Sequence, residues 1–391
     1  MEQDADQGGA PPFGRREGGD SLVRFVSIVV PCLNEEAYIE QCLRSLLAQD
    51  YPNERMEVLV ADGMSVDRTR EILARIAVED PRVRVIDNPE RIQSAGLNAA
   101  IRACRGDVIV RADVHAEYNN DFVRQCVLVL AETGADNAGG AARPRARRFF
   151  QRALAAALES PLGIGNSKFR QPDAEGLVDT VFPGAFPRRV FETMGLFDRR
   201  AVTNEDAEIN QRIHAAGGKV YLSRRIVVHY YPRDSLRALA RQYFYYGKGR
   251  ARTLLKHKKL LTVRPALPFL SLVSGALLLA TSPVQPFTPF AFGTYALATL
   301  AEATRVGRKV GARAIPVIWA IFPVLHASHG AGFAVGLVQY AIKPDWGPIE
   351  YLEHEPAANT DDRGRAPAST SEQSVAPAPT SKLNGAGMAA R

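Results

Sequence analysis

The sequence predicts an α/β protein: a Rossmann-like mixed sheet, mostly parallel, followed by C-terminal membrane helices. Three observations carry that expectation. Short β-branched runs alternate four times with helical patterns between Phe25 and Leu130, the mark of a parallel sheet covered on both faces. Three apolar stretches cluster after Ala266, and a basic belt immediately precedes them. With 391 residues, 46% hydrophobic and 23% charged, the chain has room for two or three domains, and its composition excludes a collagenous, coiled-coil or wholly disordered protein.

Phe25 to Val30 reads as a buried strand, and Glu36 to Gln49 then sets Ile39, Leu43, Leu46 and Leu47 on one helical face. The cycle repeats as Val58 to Ala61 with Thr69 to Val78, Val83 to Ile86 with Ser94 to Ala103, and Val108 to Ala112 with Phe122 to Leu130. Ligands of such sheets gather at the carboxyl ends of the strands, so the polar residues just after each strand are the first functional candidates. Beyond about Gly140 the rhythm gives way to Gly/Pro-marked sequence, including Pro144, Pro161, Pro172, Pro183 and Gly184, which suits loops covering a site. A second structured piece runs from Arg189 to Tyr231. Ala266 to Thr281, Val284 to Ala301 and Ile315 to Ile342 are then expected to be membrane-embedded, because apolar runs of this length rarely cluster in soluble chains. Residues 1–21 and 343–391 are polar and are expected to be disordered.

The belt from Arg233 to Arg264 holds ten Lys/Arg and one acid, Asp234, so it carries +9 of a net charge of +7 and the rest of the chain is −2. Its place beside apolar sequence argues for a membrane surface and against nucleic acid. The belt and the loop with Arg305, Arg308, Lys309 and Arg313 mark the cytoplasmic side, and the uncharged segment Thr281 to Thr288 is expected outside. His326, His329 and Gly330 interrupt the last stretch, which leaves a single tilted span or a re-entrant turn open. Cys32, Cys42, Cys104 and Cys126 form no Cys-x-x-Cys pair and read as buried free thiols. No signal-peptide pattern precedes Ser27, so the sheet domain is expected in the cytoplasm.

Three acidic clusters follow three strands: Asn34-Glu35-Glu36, Asp62 with Asp67, and Asp113-Val114-His115. Neither a P-loop nor a Gly-x-Gly-x-x-Gly turn occurs. Carboxylates facing a diphosphate would repel it unless a divalent cation bridges them, so Asp113 with Mg²⁺ or Mn²⁺ is the economical explanation. Thr203-Asn204-Glu205-Asp206 opens a helical pattern carrying Ile209 and Ile213, where acids serve either the helix dipole or catalysis.

Together these segments resemble the ordered signature of family 2 glycosyltransferases. The residues that carry the resemblance are Val26 to Pro31 with Asn34-Glu35, Asp62-Gly63-x-Ser65-x-Asp67, Gly96-Leu97-Asn98, Gly106-Asp107, Asp113, Gly195 to Asp198, and Glu205-Asp206. The resemblance spans Val26 to Tyr246 and is nearest to succinoglycan-type exopolysaccharide glucosyltransferases. It implies a GT-A domain at 22–232, a basic amphipathic interfacial segment at 233–264 and membrane helices at 265–342. It further implies that Pro31, Glu35, Asp62 and Asp67 hold the nucleoside, that Asp113 holds the metal and that Asp206 is the base, with Glu205 next in line. Asn34, Asn98 and Arg188 join the donor-binding candidates, Arg188 to neutralise diphosphate. The implied activity is inverting transfer from a nucleotide-diphospho-sugar, expected to be a UDP-sugar, to a polyprenyl-linked saccharide at the inner (plasma) membrane.

Two departures stand out. His115 replaces the second carboxylate of the usual Asp-x-Asp, and reads either as a ligand for a borderline metal or as a polar loop histidine. His229 reads likewise as a ligand or as a structural histidine. At Gln242 to Tyr246, tyrosines replace the Arg-Trp of processive relatives. A noncatalytic membrane scaffold that binds nucleotide sugar or protein partners is the alternative function.

Overall fold

The structure, a computed structural model, describes residues 23–353 apart from 165–167, 169–170, 172 and 260–261. The N-terminal segment and most of the expected polar tail lie outside the described residues.

Strands β1 (Val26–Cys32), β2 (Met56–Asp62), β3 (Val83–Asp87) and β4 (Val108–Arg111) pair in parallel in the order β3-β2-β1-β4. Every residue of β2 is buried because helices cover both faces, which is why these runs are continuously apolar and do not alternate. On one face α1 (Ile39–Leu47), α2 (Thr69–Glu79) and α4 (Phe122–Thr133) press Leu43, Ile76 and Phe122 onto Ile28 and Val58. On the other, α3 (Gln93–Ala103), α7 (Arg188–Thr193) and α8 (Glu205–Ala215) bring Leu97, Phe191 and Ile209 against Val29 and Leu59. β1 sits between β2 and β4, so the crevice of such a sheet opens above Cys32 and Arg111.

Beyond β4 the sheet is mixed. β8 (Gly184–Pro187) joins β4 antiparallel, and β6 (Asn137–Pro144), β9 (Val220–Tyr230) and β5 (Ala116–Tyr118) follow, with β7 (Gly176–Leu177) on β9. Two elements occupy sequence read as loops. β6 is built from Gly and Ala because a Cβ on Gly140 would collide with the Ile226 carbonyl, so it lacks the β-branched signal. α5 (Phe149–Glu159) buries Ala153, Leu154, Ala157 and Leu158 at helical spacing. α6 (Pro161–Ile164) follows it.

The basic segment is α9 (Leu236–His257), and the apolar stretches are α10 (Leu267–Thr281), α11 (Phe287–Gly307) and α12 (Ala314–Ile342). The ranges 264–281 and 314–342 are long and apolar enough to cross a membrane. Leu277, Leu279, Val284, Phe287 and Phe290 are exposed around the tip of the α10–α11 hairpin, an apolar surface of the kind that marks a contact with lipid or protein. α9 lies tightly along α12. A Cβ on Gly247 would strike the His329 carbonyl and one on Gly332 the Phe244 carbonyl, so only glycine permits this approach.

α12 has both ends on the sheet-bearing unit. Near its start Ala314, Ile318 and Phe322 pack with Leu154 and Leu158 of α5. Past its end the Leu196 amide donates to the Glu350 carbonyl (2.7 Å), and the buried Leu352 donates its amide to Phe191 (3.1 Å). A single membrane crossing would put those ends on opposite sides, so α12 runs along the unit. Residues 343–353 accordingly form a return strap, whereas the sequence reading began the tail at 343. The belt is also redistributed: Arg233, Arg237, Arg241, Lys258 and Lys259 are exposed, whereas Lys248, Arg250, Arg252, Lys256 and Arg264 turn inward. All four cysteines are free and buried.

Candidate active site

Above the ends of β1 and β4 lies a cavity of about 1240 Å³ that reaches from the acidic strand ends to the base of the α10–α11 hairpin. The turn after β4 places Asp113. Its backbone amide donates to the Tyr118 hydroxyl (2.6 Å), and that hydroxyl donates back to the Asp113 carbonyl (3.1 Å). Opposite, Asn204 adopts a left-handed conformation (φ 63°) and starts α8, which sets Glu205 and Asp206 in its first turn. Asn204 donates through Nδ2 to the Tyr246 carbonyl (3.0 Å) and Thr203 through its hydroxyl to the Tyr245 carbonyl (3.0 Å), so α9 anchors this loop.

Arg111 ties the acids together. Its guanidinium is buried and lies 3.1 Å from Asp113 Oδ1, 2.8 Å from Glu205 Oε1 and 2.5 Å from Asp206 Oδ1. The last contact is an ion pair without hydrogen-bond alignment, and Asp206 Oδ1 has no hydrogen-bond partner. Burial pushes the Asp206 carboxyl up to about 7 against the pull of Arg111, and the charges of Glu205 and Asp113 add to the rise. A carboxylate that titrates near neutrality suits proton abstraction at physiological pH. Sequence reasoning missed Arg111, although an arginine at the end of an otherwise apolar, buried strand was the available signal.

Of the sequence-nominated residues, Pro31, Glu35, Asp113, His115, Glu205 and Asp206 line this one cavity. His115 Nε2 lies 3.1 Å from Glu35 Oε1, and its ring packs edge-on against Tyr38. Asn34, Asp62, Asp67, Asn98, Arg188 and His229 do not line it. Asn34 Oδ1 accepts from the Val66 amide (2.9 Å). Asp62 is fully buried; it accepts from Ser65 and pairs with Arg70 (2.9 Å). Asp67 accepts the Thr69 amide (3.0 Å) at the start of α2. Asn98 is bonded in both directions to Phe197. Arg188 donates to the Cys104 carbonyl (3.1 Å) and reaches Glu192 (3.5 Å). His229 pairs across the sheet with Glu117 of β5, and burial, with Arg145 and Arg143, lowers its pKa.

Among the described residues no group of three His, Cys, Asp or Glu is gathered as a metal cage. The donor set still fits a hard cation held between protein and substrate: Mg²⁺ is typically bound by one or two carboxylates together with substrate phosphates and water. Asp113, partly open to the cavity, supplies such a carboxylate.

A Rossmann-like sheet with acids gathered above the ends of β1 and β4, and a first-turn carboxylate beside them, can bind a ligand in the crevice and take a proton from it. Comparison with known proteins makes this specific. Residues 27–195 match the glycosyl transferase family 2 profile. The chain is 35% identical over 316 residues to the succinoglycan biosynthesis protein ExoA of Rhizobium meliloti, covering 78% of this chain and 93% of that protein. It is 26% identical over 328 residues to a dolichyl N-acetyl-alpha-D-glucosaminyl phosphate 3-beta-D-2,3-diacetamido-2,3-dideoxy-beta-D-glucuronosyltransferase of Methanococcus voltae, covering 81% and 98%. In fold it is similar to the mannosyltransferase PcManGT of Pyrobaculum calidifontis, solved with GDP-Man and Mn²⁺ (TM-score 0.58, 19% identity, 80% and 87% covered). The chain belongs to glycosyltransferase family 2, with a GT-A fold, and is an enzyme that transfers sugar in polysaccharide or glycan biosynthesis. That sets aside the noncatalytic scaffold.

Proposed function

We propose that this enzyme moves one sugar from a UDP-linked donor to a polyprenyl-linked saccharide, with inversion, and that Asp206 is the base. The observation that carries the reading is the position of Asp206: its carboxylate lines the same cavity as Asp113 at one end and the foot of the apolar hairpin at the other. An acceptor hydroxyl between them gives its proton to Asp206 as its oxygen attacks the anomeric carbon, while the bond to the donor diphosphate breaks on the opposite face. Arg111 steadies the carboxylates throughout, its positive charge offsetting their mutual repulsion. Asp113 would hold Mg²⁺ or Mn²⁺, with His115 within the same cavity as a second candidate, and the ion when bound supplies charge to the leaving diphosphate. Pro31 and Glu35, at the β1 end of the cavity, are assigned to the nucleoside; Asn34, Asp62 and Asp67 support the loop that presents them. The names of the Rhizobium and Methanococcus relatives, one a polysaccharide biosynthesis protein and the other acting on a dolichyl-linked sugar phosphate, support this acceptor class.

Mass spectrometry of lipid extracted after incubation with UDP-sugars tests the reading. The expected product is a polyprenyl-linked saccharide extended by a single residue, formed only with divalent metal and largely lost in Asp113→Ala. A ladder of products, or full turnover in EDTA, overturns it.

The same proposal puts the sheet-bearing unit on the cytoplasmic face of the inner membrane, with the α10–α11 hairpin inserted. α10 is about 22 Å long and α11 about 31 Å at 1.5 Å per residue, against a hydrocarbon core of about 30 Å. A cysteine placed at Pro286 is expected to react with an impermeant maleimide added outside intact cells; reaction from the cytoplasmic side alone sinks the crossing.

A further inference from the structure

Of the inward-turning belt cations, Arg250 and Arg264 line the cavity, and Arg250 is the one of the two whose role neither the fold nor the proposed chemistry accounts for. It is half-buried on α9 and lines the cavity, yet it makes no hydrogen bond or ion pair with any described residue. Its neighbours in the belt differ: Arg252 pairs with Asp198 (2.9 Å), Lys256 with Glu208 (2.8 Å) and Arg264 with Asp179 (2.8 Å). A half-buried guanidinium that faces the cavity without a hydrogen-bonded partner can offer its fork to an anion of matching geometry. Burial lowers the Arg250 pKa from its ordinary value against the pull of Asp179; Arg264 adds to the fall, and Tyr246 and Asp206 oppose it.

The position of Arg250 says which anion. Gln242, Tyr246 and Arg250 are spaced four apart along α9 and all line the cavity, so they form one stripe on it. Gly249, the next residue back, packs against Thr203 and Asn204 so closely that a Cβ would clash with both. Arg250 therefore stands beside the loop that starts α8, on the side of Asp206 that belongs to α9. The walls there come from the membrane-facing helices: Leu267, Pro268 and Ser271 of α10, Tyr295 of α11, and Leu325 and His329 of α12. His329 Nδ1, among these walls, is buried without a hydrogen-bond partner. The donor candidates Pro31, Glu35 and Asp113 come instead from the β1 and β4 ends.

We propose that Arg250, assisted by Arg264 and His329, is the binding site for the phosphate carried by the lipid acceptor, with the isoprenoid chain leaving along the foot of the α10–α11 hairpin. The proposal deepens the transferase reading, which supplies the acceptor class. A lipid phosphate held here keeps its apolar tail against leucines and turns its sugar toward Asp206. A donor diphosphate would have no use for the apolar wall.

Binding separates this inference from the transferase reading, because it needs no turnover. Farnesyl phosphate, inorganic phosphate, farnesol and UDP are titrated by calorimetry into the full chain in detergent. Farnesyl phosphate is expected to bind more tightly than inorganic phosphate. Arg250→Ala should weaken it by roughly ten- to hundredfold, the worth of a charged hydrogen bond to phosphate, and leave farnesol and UDP unchanged. Arg250→Lys should recover part of the loss, since it keeps the charge but not the fork. Unchanged farnesyl phosphate affinity in Arg250→Ala overturns the proposal. So does a matching loss of UDP affinity, which would assign the guanidinium to the donor. If binding behaves as expected while no lipid product ever forms, the proposed lipid-linked acceptor reaction fails and the lipid-phosphate site stands.

Discussion

Asp206→Asn is expected to lower turnover by about two to four orders of magnitude, the usual worth of a positioned general base, with donor affinity changed little. The substitution preserves shape and removes only the ability to take a proton. Arg111 is not orphaned by it, because Glu205 (2.8 Å) and Asp113 (3.1 Å) remain in contact with the guanidinium. A loss confined to the transition state lowers kcat and kcat/KM together. The pH behaviour gives a second readout. With its carboxyl pushed up to about 7, the native enzyme should gain rate as pH rises through neutrality and then level off, whereas the variant should lack that limb. Stability should move the other way. A folded pKa above the unfolded value of about 3.9 means that the folded state holds this proton more tightly, so stability is lost as pH rises from about 4 to 7. Asp206→Asn should therefore melt above the native enzyme at pH 8, with the gap closing toward pH 4. Native turnover in this variant would reassign the base to Glu205.

How far the sequence discloses this molecule depends on how loudly each element's burial is written. β1 and β2 are covered on both faces, so their residues read as continuous apolar runs, and α1 declares itself through Ile39, Leu43 and Leu46. β6 is silent because Gly139 and Gly140 exist to admit neighbouring backbone, which erases strand propensity. Asp113, Glu205 and Asp206 were legible as candidates because a strand end above a crevice and a helix first turn can present acids to a ligand, although the helix dipole also favours acids in a first turn. Arg111 and Arg250 were not: one hides in a strand, the other among ten cations, and only three-dimensional pairing distinguishes the partnered guanidinium from the free one. His229 had the right chemistry on a strand whose register sets it opposite Glu117, and register cannot be read from one strand alone.

Glu208→Leu should strongly destabilise the catalytic unit. Glu208 is fully buried in α8 and faces two cations and an imidazole, with Arg212 Nη2 and Lys256 Nζ each at 2.8 Å and His257 Nε2 at 2.9 Å. Burial alone would raise its carboxyl; the His257 hydrogen bond and the Arg212 and Lys256 charges overcome this and hold it well below the ordinary range. Removing one member of a buried charge network typically costs about 3–5 kcal/mol, and the cost here falls toward the lower end because Lys256 keeps Asp198 (2.5 Å) and Arg212 keeps the Leu196 carbonyl (2.8 Å). A fall in melting temperature on the order of 10 °C follows for a chain of this size, measurable by circular dichroism in detergent. Lys256→Met added to Glu208→Leu should recover part of it, since the two residues are in contact and their effects are coupled. The sign in pH is set by the depressed value: the stabilisation is complete above the unfolded pKa of about 4.3 and drains away as acid protonates the carboxyl. Glu208→Gln should accordingly flatten the acid limb of the stability curve. A melting temperature for Glu208→Leu equal to the native one would show that water reaches the network and that its charges are screened. The network matters to catalysis as well, because it locks α9 onto α8, the helix whose first turn carries Asp206. Loosening it should reduce turnover in Glu208→Leu even at temperatures where the protein remains folded.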